Sequence, residues 1–275
     1  MRYFLVDNGS LRAKSVLNLR RLARELGEVS GLEIIPASLL HSSKVDPGEL
    51  NGEPAINLER RIRLFLESGE RAFTIIPFFI GPTGAIVDYL PERLTALRKK
   101  YGSFEICRMP FLHDSGDDTC SGLVPILAEQ VRETIRAHGL NCPKVALVDH
   151  GSPLREVTKV RNSLAEKLAD HLGHEVECVA PASMERREGE QYAFNEPLLE
   201  NLLREPDWRN GPVVISMLFL SPGRHAGSGG DVAGICEQAM AESGGLQTHM
   251  TPLVGMHPGI ISLLNRQLNQ LKTRL

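Results

Sequence analysis

Residues 144–152 read KVALVDHGS. The run 144–148 is short, apolar and rich in β-branched side chains, which predicts a strand buried on both faces. Asp149, His150, Gly151 and Ser152 then form a turn signal, and a polar helical stretch follows. In an open α/β sheet this order puts His150 at the carboxyl end of a strand, where such sheets bind ligands. Near the start of the chain the same pattern occurs again as YFLVDNGS, residues 3–10, with Asn8 in the place of His150. The chain therefore reads as one unit written twice, and only the second copy has the histidine.

Other correspondences follow in the same order. Pro36-Ala37-Ser38 matches Pro181-Ala182-Ser183, Glu53-Pro54 matches Glu196-Pro197, and Phe79-Ile80-Gly81-Pro82 matches the segment ending Leu220-Ser221-Pro222. Pro110-Phe111-Leu112 matches Pro252-Leu253-Val254, each ahead of a final helix. Matches in a constant order at a roughly constant offset are the mark of duplicated units. Within the first copy, strands are expected over 2–6, 32–37, 72–80 and 104–109. Helices are expected over 14–26, 55–66, 91–100 and 123–138. The second copy has its long apolar strand over 212–220. Alternating strands and helices with short connections predict an α/β protein of two duplicated domains, each a parallel sheet flanked by helices. The domains are expected over 1–138 and 144–275, with 139–143 as linker, and facing each other across a cleft.

Composition narrows the function classes. The 275 residues are 42% hydrophobic and 24% charged, with a formal net charge of -3, so there is neither a basic field for nucleic acid nor a polybasic membrane patch. No apolar run approaches a membrane span, and the first residues lack a signal-peptide core. Cys107, Cys120, Cys142, Cys178 and Cys236 are odd in number and form no CxxC pair, which fits reduced thiols in a cytoplasmic protein. A monomer of two halves or a weak homo-oligomer is expected.

Aligning the copies at Pro82 and Pro222 sets Ala85 opposite His225. The second copy thus has histidines after its first and third strands, and the first copy has neither. Both copies keep the Asp, Gly, Ser and Pro of these turns, so the fold itself does not call for imidazoles. Two imidazoles at one crevice form an incomplete nitrogen site suited to Co, Fe, Ni or Zn. The same rings can accept protons near neutral pH.

The pair DHGS and FLSPGRH, each closing a strand in a duplicated α/β chain, resembles the class II tetrapyrrole chelatases. These are the ATP-independent sirohydrochlorin cobalto- and ferrochelatases. The ending Pro252-Leu253-Val254-Gly255 with His257-Pro258 is similar to that family's last strand and helix entry. The resemblance implies that His150 and His225 bind the metal and assist deprotonation of the macrocycle. It also implies a divalent metal as substrate (Co²⁺, Fe²⁺ or Ni²⁺), a tetrapyrrole partner, and no nucleotide or iron–sulfur cluster. The arrangement departs from two-domain members, whose histidines are expected in the first half. The family's acid after the second strand has Glu185, Glu188, Glu190 and Glu196 as candidates; Glu185, Glu190 and Glu196 are the ones expected near the imidazoles.

Arg224, Arg186 and Arg187 are candidates for pairing with macrocycle carboxylates, and Ser152 is a candidate contact at the turn. Gly227-Ser228-Gly229-Gly230 reads as a lid or an anion cradle, but has neither a GxGxxG nor a GxxxxGK spacing. Two further readings stay open. One is a non-catalytic tetrapyrrole- or metal-binding protein of this fold. The other is a histidine phosphatase acting through the Arg224-His225 pair. His113, His171 and His174 are expected to face solvent.

Overall fold

The computed structural model describes residues 1–113, 122–227 and 229–273; Cys120 and Ser228 lie outside them. The first copy runs β1 (Arg2–Asp7), α1 (Ala13–Ser30), β2 (Ile34–Ser38), α2 (Leu58–Glu67), β3 (Ala72–Pro77), α3 (Leu90–Tyr101), β4 (Glu105–Arg108) and α4 (Leu123–His138). The second runs β5 (Lys144–Asp149), α5 (Arg155–Leu172), β6 (Val179–Ser183), α6 (Leu199–Leu202), β7 (Asn210–Met217), α7 (Asp231–Glu242), β8 (Gly245–Met250) and α8 (Gly259–Lys272). The sheets have the same order, β2-β1-β3-β4 and β6-β5-β7-β8, and every pairing is parallel. The expected duplication and fold class hold.

The central strands are apolar along their length because both faces are covered. In the first sheet, Phe4 and Val6 of β1 point toward Leu58, Ile62 and Leu66 of α2 and Leu90, Leu94 and Leu97 of α3. In the second, Ala146 and Val148 of β5 join Leu199 and Leu202 of α6 and Val232, Cys236 and Ala239 of α7. β3 and β7 end at Pro77 and Met217, three residues before the ends of their apolar runs. Phe78 and Leu218 still donate to Val6 O and Val148 O, and the remaining apolar residues turn over the sheet edge. α2 starts at Leu58 rather than 55 because the Asn57 side chain caps it, accepting from Arg60 N at 3.1 Å. Asn57 and Leu198 make matching bridges to Ser38 and Ser183. Glu196-Pro197 therefore aligns with Ala55-Ile56, not with Glu53-Pro54.

Packing does not follow the repeat. The compact units are Met1–Asp114 with Ile261–Leu275, and Ser115–Ile260; the expected division was 1–138 and 144–275. Each copy's last helix sits in the other copy's unit. Gln130 of α4 donates to Leu253 O at 3.3 Å, and Gln267 of α8 donates to Phe111 O at 2.8 Å. Phe111 and Leu253 are the matching residues after β4 and β8, so the two copies have exchanged helices reciprocally. Sequence periodicity finds a helix but not the sheet it covers.

Cys107, Cys142, Cys178 and Cys236 are free. No described helix is long and apolar enough to cross a membrane. His113 is buried rather than solvent-facing; its amide bonds to Ile80 O across the end of the sheet.

Candidate functional site

The site begins at the end of β5. Asp149 is buried, and its Oδ1 accepts from Ser183 Oγ at 2.7 Å and from Gly151 N at 3.1 Å. Gly151 has φ +88°, and a Cβ there would lie 1.9 Å from Glu185 O, so only glycine lets the two strand ends close up. Two backbone bonds fasten them: Met184 N to Asp149 O at 2.8 Å and Glu185 N to His150 O at 3.2 Å. His150 and Glu185 are thereby held side by side.

His150 Nδ1 lies 3.1 Å from Gly151 O. A carbonyl only accepts, so this contact places the proton on Nδ1 and the lone pair on Nε2. Nε2 is 3.5 Å from Glu185 Oε1. That is close to the ~3.4 Å separation of two donors sharing a tetrahedral ion at about 2.0–2.2 Å.

His225 stands in the turn between β7 and α7. Its ring lies 4.6 Å from that of His150, centroid to centroid, at 82°. Its Nδ1 is 2.6 Å from Asp231 Oδ2, in the first turn of α7. A carboxylate there is favoured by the helix dipole; it fixes the imidazole's orientation and leaves Nε2 with a lone pair. Arg224 Nε is 3.7 Å from the same oxygen, with its side chain mostly exposed. The two imidazoles expected together are together. Among the described residues, no group of three or more His, Cys, Asp or Glu side chains is gathered to hold an ion; the arrangement is an open pair with one carboxylate beside it.

The other expected residues are placed as follows. Glu196 accepts from Arg186 Nε at 2.7 Å and from Leu198 N at 2.9 Å. Burial pushes its carboxyl up, but these contacts outweigh that and hold it below the ordinary value. Arg186 also donates to Gly189 O at 3.1 Å, so this pair shapes its own loop. Arg187 lies over the Tyr192 ring at 5.9 Å. Glu190 opens the short turn Glu190–Asn195 and is exposed. Ser152 Oγ accepts from Leu154 N at 3.1 Å, and its backbone N and O are both bonded to the Asn195 side chain at 2.9 Å.

Sequence reasoning missed two partners. Asp231 was legible as an acid at a helix start six residues after His225. Arg161 occupies the core-facing stripe of α5 with Thr158, Leu164, Ala165, Leu168 and Leu172; a charge in such a stripe is the signal. Only 1% exposed, its Nη1 donates to Ser183 Oγ and to Asn195 O at 3.0 Å, 3.6 Å from Asp149 Oδ1. Burial pushes the Asp149 carboxyl up and the Arg161 guanidinium down, and each offsets part of the other's shift.

The family model CbiX matches residues 144–271. These residues, just under half of the chain, are similar to the CbiX family. The match covers the segment with both histidines. No curated protein matches the chain. Among solved structures, SirB from Bacillus subtilis with Fe³⁺ is similar at a TM-score of 0.68 and 14% identity, covering 98% of this chain and 95% of that one. The sirohydrochlorin chelatase SirB from Bacillus subtilis subspecies spizizenii, in complex with cobalt, is similar at 0.67, 14%, 98% and 95%. These likenesses show that the CbiX segment and the copy before it share the two-sheet fold of SirB.

Proposed function

We propose that this protein is a metal chelatase that inserts a divalent metal ion, cobalt or iron, into sirohydrochlorin, within cobalamin or siroheme biosynthesis. The observation that carries this is the imidazole pair of His150 and His225, 4.6 Å apart inside the CbiX segment. The SirB structures with Fe³⁺ and cobalt support the choice of metals. In this reading the ion is substrate, received on the Nε2 atoms of His150 and His225. Asp231 aims the second ring, and Glu185 adds a negative charge beside the first. Entry of a divalent ion releases the macrocycle's two pyrrole protons; in this reading Glu185 accepts one, and an imidazole Nε2, freed as the ion passes to the macrocycle, accepts the other. Arg224 and Arg187, which among the described residues hold no carboxylate at hydrogen-bond distance, are in this reading the arginines that pair with substrate carboxylates. Nickel as an alternative ion and a cytoplasmic location belong to the same reading.

The test is spectroscopic. Purified protein is mixed with sirohydrochlorin and Co²⁺, Fe²⁺ or Ni²⁺, and the macrocycle's absorbance is followed against a protein-free blank. Many turnovers per protein chain are expected with Co²⁺ or Fe²⁺. A spectral change that stops at one equivalent would make the protein a binder, and none above the blank would end the chelatase reading.

A further inference from the structure

The two copies differ beneath the turn as well as on it. Leu19 and Arg161 each lie twelve residues after the buried Asp of their copy, on matching helices α1 and α5. In the first copy, Leu19 and Ser38 line an open cavity of about 800 Å³, formed wholly by residues of that copy. In the second, their counterparts Arg161 and Ser183 are joined by a hydrogen bond. Asn195, 0% exposed, closes the space by bonding Arg161, Ser152 and Tyr192 O. A buried guanidinium is expensive to desolvate, and an apolar residue of similar size serves stability at least as well. The first copy shows this directly, since its turn closes with a leucine there. Leu39 N and Leu40 N still bond Asp7 O and Asn8 O at 3.0 Å. The fold does not call for the cation, and it occurs in the copy with the histidines.

We propose that Arg161 is a positioning residue for the metal-handling pair. Through Ser183 it ties down Asp149, the residue before His150, and the strand end that leads to Glu185. Through Asn195 O it ties the loop that clasps Ser152. One guanidinium thus fixes the separation of His150 and Glu185 from below, where water cannot reach. A methionine would fill the volume but remove the guanidinium's bonds to Ser183 Oγ and Asn195 O, leaving the Ser183–Asp149 bond and the Asn195–Ser152 bonds with nothing to join them. This rests on the metal-insertion reading above, because its effect is exerted through His150.

The test measures Co²⁺ binding by titrating the purified protein with CoCl₂ and following visible absorbance. KM values for Co²⁺ and for sirohydrochlorin are measured alongside, with circular dichroism and melting to check the fold. Arg161→Met should fold and bind Co²⁺ about 10–100-fold more weakly, the usual loss when a group orienting a ligand is removed. KM should rise for Co²⁺ and not for sirohydrochlorin, and Arg161→Lys should recover part of the loss. Ser183→Ala should fall between, while Ser38→Ala, its counterpart in the first copy, should bind as the parent does. Wild-type affinity in a folded Arg161→Met variant overturns the proposal. If that variant does not fold, wild-type affinity in both Arg161→Lys and Ser183→Ala overturns it. Undiminished Co²⁺ binding by the His150→Ala, His225→Ala double variant would instead refute the metal reading itself.

Discussion

The turns after β1 and β5 have the same backbone and different chemistry. Each has a buried Asp, a glycine at positive φ (Gly9 at +92°, Gly151 at +88°) and a Cβ position that would strike the carbonyl of the neighbouring strand end. On the first turn stand Asn8 and Leu40, with Ala85 after β3 and Leu19 beneath. On the second stand His150 and Glu185, with His225 after β7 and Arg161 beneath. Four matching positions change together while the hydrogen bonds closing the turn persist. The backbone pattern belongs to the fold, which both copies must satisfy; the side chains that vary are those of the proposed site, and they stand only in the second copy.

The comparison breaks most sharply at the histidines. His150→Ala or His225→Ala should bring metal insertion close to the protein-free blank, and the double variant should lose less than the product of the two effects. Asn8→Ala, at the first copy's matching turn, should leave turnover intact. Full activity in the double variant, followed by sirohydrochlorin absorbance, would show that the copies do not differ in the way described.

A second difference lies in the buried acids. Among the described residues no guanidinium is paired with Asp7, and burial raises its carboxyl to about 6 despite hydrogen bonds from Ser38 and the Gly9 amide. The folded state therefore favours the protonated form more than the unfolded chain does. That stabilisation is complete below pH ~4 and is lost as pH rises through about 6, amounting to about 3 kcal/mol. Asp7→Asn should remove this pH dependence, so that melting curves from pH 4 to 7 flatten; an unchanged slope would count against a strained Asp7.

Asp231→Asn should weaken Co²⁺ binding by about 10–100-fold, because the amide orients the His225 ring less firmly and adds no charge. Retained affinity would mean that the 2.6 Å contact is incidental. The smallest effect concerns the exchanged helices. Gln130→Ala leaves Leu253 O buried without this donor and should cost about 1–2 kcal/mol in denaturant unfolding. Gln267→Ala, at a less buried position, should cost less; the reverse order would contradict the packing described.

Much of this was readable in the chain. The repeated LVD–GS turn gave away the duplication and the shared strand order, since alternation of buried strands and amphipathic helices is a local property. The pairing of His150 with His225 followed from aligning the copies. The acid was narrowed but not chosen: Glu185, Glu190 and Glu196 lie in one irregular loop, and only the backbone bonds at Gly151 single out Glu185. Asp231 and Arg161 act across six and twelve residues of chain through three-dimensional contacts that periodicity does not encode. The helix exchange was illegible for the same reason, as α4 and α8 have the same apolar stripe whichever sheet receives it.

That exchange gives the chain an unusual map of vulnerable places. The chain leaves the first unit at residue 114 and rejoins it at 261, so the unit with His150 and His225 is threaded in as an insert. A protease trimming α8 would strip a layer from the sheet without histidines and spare the imidazole pair. A single nick in 139–143, the join between the repeats, would separate the sequence halves without separating the folded ones, each fragment still wearing the other's helix.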